Sequence, residues 1–167
     1  MNSLVLIFFS FINAFSPPYP TDQLPDFLVM DNDTILLKSF PLEELSFEIR
    51  PFSYNGYSYP DIECIRGYQA VWKVVGRKLF LAEILKADES RERIDIVPYF
   101  MENDYTPNVI NGLIFADWFT MDLTPFPRDI KFLGCVWKDK TPKKQKASIR
   151  FRHGVMTANH YNSKHHR

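Results

Sequence analysis

Three charged residues stand in otherwise apolar stretches and are the first candidates for chemistry. Glu83 and Asp117 fall at strand positions whose neighbours call for burial, and Arg66 shares a face with Tyr68 and Trp72 at a hairpin's open end. A lone charge away from water is so unfavourable that such groups are paired, hydrogen-bonded or protonated. Brought together, Arg66, Glu83 and Asp117 would line a polar pocket walled by Tyr68, Trp72 and Trp118. Aromatic walls with a few polar groups are how small-ligand and glycan sites are built. The competing expectation is a structural ion pair, or an Asp accepting backbone amides near a strand end. Glu83 and Asp117 also have the residue types of a glycosidase pair, which needs carboxyls about 5–5.5 Å or about 6.5–9.5 Å apart. Sequence spacing leaves that distance open.

Other chemistries have less behind them. His153, His160, His165 and His166 all lie in the final segment, and His165-His166 has no carboxylate or Cys at ligand spacing. No metal site is expected there. There is no Gly-x-Ser-x-Gly elbow and no glycine-rich phosphate loop, so no catalytic residue is assigned and no cofactor is expected. Cys64 and Cys135 are far apart and in no metal-binding spacing. A disulfide in an exported domain and two buried thiols stay equally open.

Those candidates need elements to hold them, and the elements read as strands. Apolar stretches from Asp26 onward are short and bounded by turn residues. Phe27–Met30 and Thr34–Phe40 flank Asp31-Asn32-Asp33, a hairpin turn, and Pro41–Leu45 suits one helical turn with Pro first. Residues 51–61 read as an irregular loop. The clearest element is a hairpin from Arg66 to Lys86 turning at Gly76-Arg77, with Gly first as a type II′ turn prefers. That turn sets Val74 against Leu79, Trp72 against Leu81 and Ala70 against Glu83. The face with Tyr68, Ala70, Trp72, Val74, Leu79, Leu81 and Leu85 should pack inward. A charged connector at Ala87–Arg93 and a short helix begun by Pro98 follow. Leu113–Leu123 reads as a strand with an apolar odd face broken by Asp117, and Ile130–Trp137 and Ser148–Val155 as two more. The expected fold is mainly β: an antiparallel meander forming a small barrel or sandwich, with one or two short helices.

The ends differ from the body. Leu4–Ile12 is apolar but too short to span a bilayer, and has the length of a signal-peptide core. A signal peptide is expected at 1–16, a Pro-rich linker at 17–25, the β domain at 26–157 and a loose basic tail at 158–167. The mature chain would have no transmembrane span. A buried first strand is the other reading of the apolar run. The charge is divided: residues 1–137 carry 11 Lys or Arg against 19 Asp or Glu, and 138–167 carry 9 against 1. No aromatic residue interrupts Lys140–Lys146 to stack on bases, so nucleic acid is not the expected partner. A solvated turn is the simpler reading.

The segment Arg66-Gly-Tyr-Gln-Ala-Val-Trp to Ile84, and Ile114-Phe-Ala-Asp-Trp-Phe119, resemble motifs of a family of small uncharacterised bacterial proteins. In that family an Arg-Gly-Tyr-x-Ala-x-Trp hairpin precedes a Phe-Ala-Asp-Trp-Phe strand. The likeness covers roughly residues 26–155 and departs after Leu123, where Thr124-Pro-Phe-Pro-Arg replaces a continuing strand. The resemblance implies a β fold and a bacterial source, with no known activity. The leading functional expectation is an exported, non-enzymatic binding or interaction module in the periplasm or at the cell surface. An envelope protein, a glycan or a small apolar ligand would suit it. An intracellular accessory or immunity-type protein, retaining its first strand, is the alternative, and a glycoside hydrolase-like enzyme is a third.

Overall fold

The computed structural model describes residues 24–46, 51–52, 58–59, 62–63, 66–126, 132–133, 136–137 and 147–161. The expected signal peptide, most of the linker, both cysteines, the Lys140–Lys146 run and the last six residues lie outside the described residues.

Thirteen strands, one α-helix and one 3-10 turn are described. β1 (Asp26–Met30) and β2 (Asp33–Leu37) form a hairpin, followed by the 3-10 turn Pro41–Glu44. β3 (Ser58–Tyr59) and β4 (Ile62–Glu63) pair with each other. β5 (Tyr68–Val75) and β6 (Lys78–Lys86) form the long hairpin, and α1 spans Ile96–Glu102. The short strands β7 (Val109–Ile110), β8 (Leu113–Phe115) and β9 (Asp122–Leu123) come next. β10 (Phe132–Leu133) pairs with β11 (Val136–Trp137), and β12 (Ile149–Arg152) with β13 (Val155–Asn159).

The main sheet runs β2-β1-β5-β6-β13-β12-β9, with β8 also bonded to β6. It nearly closes on itself. Beyond β9, Lys38 N donates to Thr124 O at 2.8 Å and Phe126 N donates to Leu36 O at 2.8 Å, around a bridge between Leu37 and Pro125. The chain is therefore mainly β with a barrel-like sheet. Its pairs are antiparallel except for β1 against β5, where Phe27, Leu28 and Val29 lie beside Val71, Trp72 and Lys73.

Turn chemistry explains the hairpins. Asp31 and Asn32 have φ of 53° and 64°, and Gly76 and Arg77 have 55° and 66°. Two positive values make each a type I′ loop, whose twist matches the flanking strands. The loop at Gly76-Arg77 is thus two residues long as expected, but of type I′ rather than II′. Asn111-Gly112 and His153-Gly154 repeat the pattern. His153-Gly154 splits the single strand expected at Ser148–Val155 into the β12–β13 hairpin.

The long hairpin departs from its expected register at one place. Val75, Val74, Lys73 and Trp72 face Lys78, Leu79, Phe80 and Leu81, but Val71 faces Glu83 and Ala70 faces Ile84. Ala82 is the extra residue of a β-bulge. One inserted residue exchanges the two faces of the remaining strand. Ile84 takes the inner position expected of Glu83 and is fully buried, while Glu83 turns outward. The bulge removes what would have been a carboxylate in the core.

The stretch Leu113–Leu123 is not one strand. β8 ends at Phe115, the chain turns at Asp117-Trp118, and pairing resumes at Asp122. Ile114 and Ala116 are buried with Phe119, whereas Met121 is exposed. The even positions Ile114 and Ala116 carry the core before the turn, and the odd positions Phe119 and Leu123 after it. Helix α1 starts at Ile96, two residues before Pro98, whose missing N–H falls in the first turn where no helical acceptor exists. Ile96 and Phe100, four residues apart, are its buried face.

Candidate functional site

Asp26 opens β1 on the inner side of the barrel and is fully buried. The parallel pairing of β1 with β5 brings it beside Ala70, whose N–H donates to Asp26 Oδ1 at 3.1 Å. Trp72 Nε1 donates to Oδ2 at 3.1 Å, and Arg66 Nη1 donates to Oδ1 at 3.0 Å. Arg66 is itself 4% exposed. Its Nη2 donates to Leu24 O at 2.7 Å, and its guanidinium lies 3.8 Å over the Phe40 ring and 4.8 Å from that of Tyr68. Gln69 Nε2 donates to Pro25 O and Gln69 Oε1 accepts from Arg91. Leu24 and Pro25, within the expected linker, are thereby tied into the fold.

The electrostatics follow from this packing. Burial pushes the Asp26 carboxyl above the ordinary carboxylate range, against the pull of Arg66, the Trp72 indole and the Ala70 amide. Burial likewise raises the Tyr68 hydroxyl, which keeps its proton and donates to Glu43 of the 3-10 turn. Trp118 Nε1 donates to Pro41 O at 3.2 Å in the same region. Its ring meets Trp72 at 6.5 Å, Phe100 at 6.3 Å and Tyr105 at 6.1 Å, the first and last edge-on. Rings so arranged stabilise through their quadrupoles beyond the area they bury.

The structure therefore brings together Arg66, Tyr68 and Trp72, places Trp118 against Trp72, and leaves Glu83 and Asp117 elsewhere. Glu83 lies on the outer face, 3.4 Å from the exposed guanidinium of Arg93. Asp117 sits in its turn, accepting from Asn108 Nδ2 at 3.2 Å. Neither acid joins Arg66, because the bulge turns one outward and the early end of β8 removes the other from a strand. The carboxylate that does join Arg66 is Asp26, which the sequence reading missed. A signal was present: alternation from Leu28 and Met30 puts position 26 on their inner side.

An outward Glu83 makes a specific prediction. Glu83→Ala should change the unfolding free energy by less than about 1 kcal/mol in urea titration, as solvent-exposed pairs do. A loss of several kcal/mol would mean that Glu83 is buried after all.

Among the described residues, no three His, Cys, Asp or Glu side chains converge to hold a metal ion, and no helix is long and apolar enough to cross a membrane. Fold and site together define a small barrel-like β domain with a buried, internally bonded ion pair. Comparison with family models, with curated proteins and with solved structures finds no match in any of the three.

Proposed function

We propose that the chain is an exported, non-enzymatic binding or interaction module that works through the outside of its barrel. The observation that carries this reading is the filled interior. Trp72, Tyr68, Phe100, Phe119 and Phe151 are all essentially fully buried, and Asp26 and Arg66 spend their hydrogen bonds on each other and on the surrounding chain. A small barrel packed with its own side chains leaves a ligand the outer faces and the ends. Export is supported by the apolar run Leu4–Ile12 and the prolines after it.

Less supports the hydrolase reading: Glu83 is held by Arg93 on the outer face and Asp117 by Asn108 in the turn after β8, so neither is set against the other.

Two measurements on the protein expressed from its full-length sequence test the proposal. N-terminal sequencing should begin near Pro17, and an intact Met1 or Asn2 would favour the intracellular accessory reading. A panel of chromogenic glycosides and esters should show no turnover, and turnover of any of them would overturn the non-enzymatic reading.

A further inference from the structure

Four strands align a row of exposed residues across one end of the barrel. Val75 faces Lys78, Lys78 faces Val155, and Val155 faces Arg152. Direct cross-strand partners share a face, so the row lies on the outside and spans roughly 14 Å at about 4.8 Å per strand. All four residues are exposed, Val75 at 55% and Val155 at 40%. Lys73 precedes Val75 on the same face. Arg77 sits in the adjoining turn with its guanidinium against Met156 O at 2.9 Å.

Three cations elsewhere on the described surface are held by acids, while Arg91 donates to Gln69. Lys86, Arg93 and Arg150 each have a carboxylate, from Asp88, Glu83 and Asp122. Among the described residues, Lys73, Arg77, Lys78 and Arg152 form no ion pair. They border exposed valines on a chain whose first 137 residues are otherwise acidic. Exposed valines alternating with cations that have no carboxylate are the complement of a protein surface on which apolar and acidic residues alternate.

We propose that the outer row Val75–Lys78–Val155–Arg152, with Arg77 and Lys73, docks an acidic, partly apolar surface of another protein. The inference rests on the module reading above and names its working face. A flat anionic bilayer fits less well. β1 runs parallel to β5 with Val29 beside Lys73, so the acidic turn residue Asp31 stands at this same end. A contoured protein surface can avoid it or set a cation against it, and a uniformly anionic plane cannot. A sugar would want an exposed aromatic platform, and Phe80 and Phe115 on this side are 5% and 9% exposed.

The test uses isotopically labelled full-length protein and a capped peptide of alternating Glu and Val, followed by amide chemical shifts. Shifts should concentrate at residues 73–78 and 150–157. Raising salt from about 0.1 M to about 1 M shortens the screening length from about 10 Å to about 3 Å and should weaken binding at least about tenfold. Lys78→Glu with Arg152→Glu should abolish the shifts, and Val75→Ser with Val155→Ser should weaken binding severalfold while keeping its salt dependence. These positions are exposed, and an unchanged spectrum elsewhere verifies that each variant is folded. Four outcomes overturn the proposal: no shift at this row, binding indifferent to charge reversal, tighter binding to phosphatidylglycerol-containing vesicles than to the peptide, or shifts produced by self-association instead. A failure here leaves the module reading standing, because enzymatic turnover and an uncleaved N-terminus are what remove that.

Discussion

Replacing Asp26 with Ala should destabilise the protein by about 3–5 kcal/mol, the usual effect of removing one partner from a buried pair. The variant would leave the Arg66 guanidinium, 4% exposed, without its carboxylate. It would also strand the Trp72 indole N–H and the Ala70 amide, both of which donate to Asp26. None of these donors can turn to water without opening the junction of β1 with β5. Against a total stability of about 5–15 kcal/mol for a domain, such a loss is close to unfolding. Urea titration followed by tryptophan fluorescence measures it. A loss below about 1 kcal/mol would mean that the pair is solvated in solution. Replacing both partners with apolar residues, Asp26→Leu with Arg66→Met, should recover much of the loss, since a buried pair is costly to break but not always costly to replace.

Gly154→Ala should rank next. Gly154 has φ of +70°, and a Cβ built there would lie 2.6 Å from Ala116 O and 2.7 Å from Phe115 Cε2. The glycine is where the β12–β13 turn rests on the segment after β8: its N–H donates to Phe119 O at 2.9 Å, and its carbonyl accepts from Leu79 N at 2.8 Å. Backbone atoms cannot swing aside as a side-chain tip can, so the methyl group must force the two segments apart. The left-handed conformation costs an L-residue roughly 1–2 kcal/mol, and overpacking adds typically about 1–3 kcal/mol. The expected loss is therefore about 2–5 kcal/mol. Gly112→Ala is the control, because that glycine has φ of +76° and nothing within 4 Å of the added Cβ. Its loss should be limited to the conformational part. Equal losses for the two variants in parallel urea titrations would show that the close approach at Ala116 is absent.

The sequence was legible where structure is local. Asp31-Asn32 and Gly76-Arg77 announced their hairpins through residues that tolerate positive φ, and Pro41 announced the 3-10 turn. Alternation placed Tyr68, Ala70, Trp72, Leu79 and Leu81 inside, where all five are found. It failed wherever one residue breaks the period. Ala82 has no turn-forming side chain to advertise the bulge, yet it decides where Glu83 points. At 113–123 the alternation was real in the letters, but the Asp117-Trp118 turn converts it to a different packing. His153-Gly154 is a readable turn signal, but the alternation of Ile149 and Phe151 with Arg150 and Arg152 continues to Val155 in the letters and masks the break between two strands.

The candidate site shows the same division. Arg66, Tyr68 and Trp72 could be grouped because they are near neighbours on one strand face. The acceptor that Arg66 and Trp72 share, Asp26, lies 40 residues before Arg66 and meets it through the parallel contact between β1 and β5. No local pattern specifies that pairing. Once Asp26 satisfies Arg66, the buried cluster has the chemistry of a clasp, fixing the start of β1, the entry to β5 and the 3-10 turn through Tyr68 and Glu43.

The coupling between Asp26 and Arg66 tests that clasp most directly. Unfolding free energies of the wild type, Asp26→Leu, Arg66→Met and the combined variant close a double-mutant cycle. The structure predicts that the combined loss falls short of the summed single losses by about 2 kcal/mol or more, at the upper end for residues in contact. Strictly additive losses would contradict it: these two side chains would then not meet inside the folded barrel, and Arg66 would be available for a ligand instead.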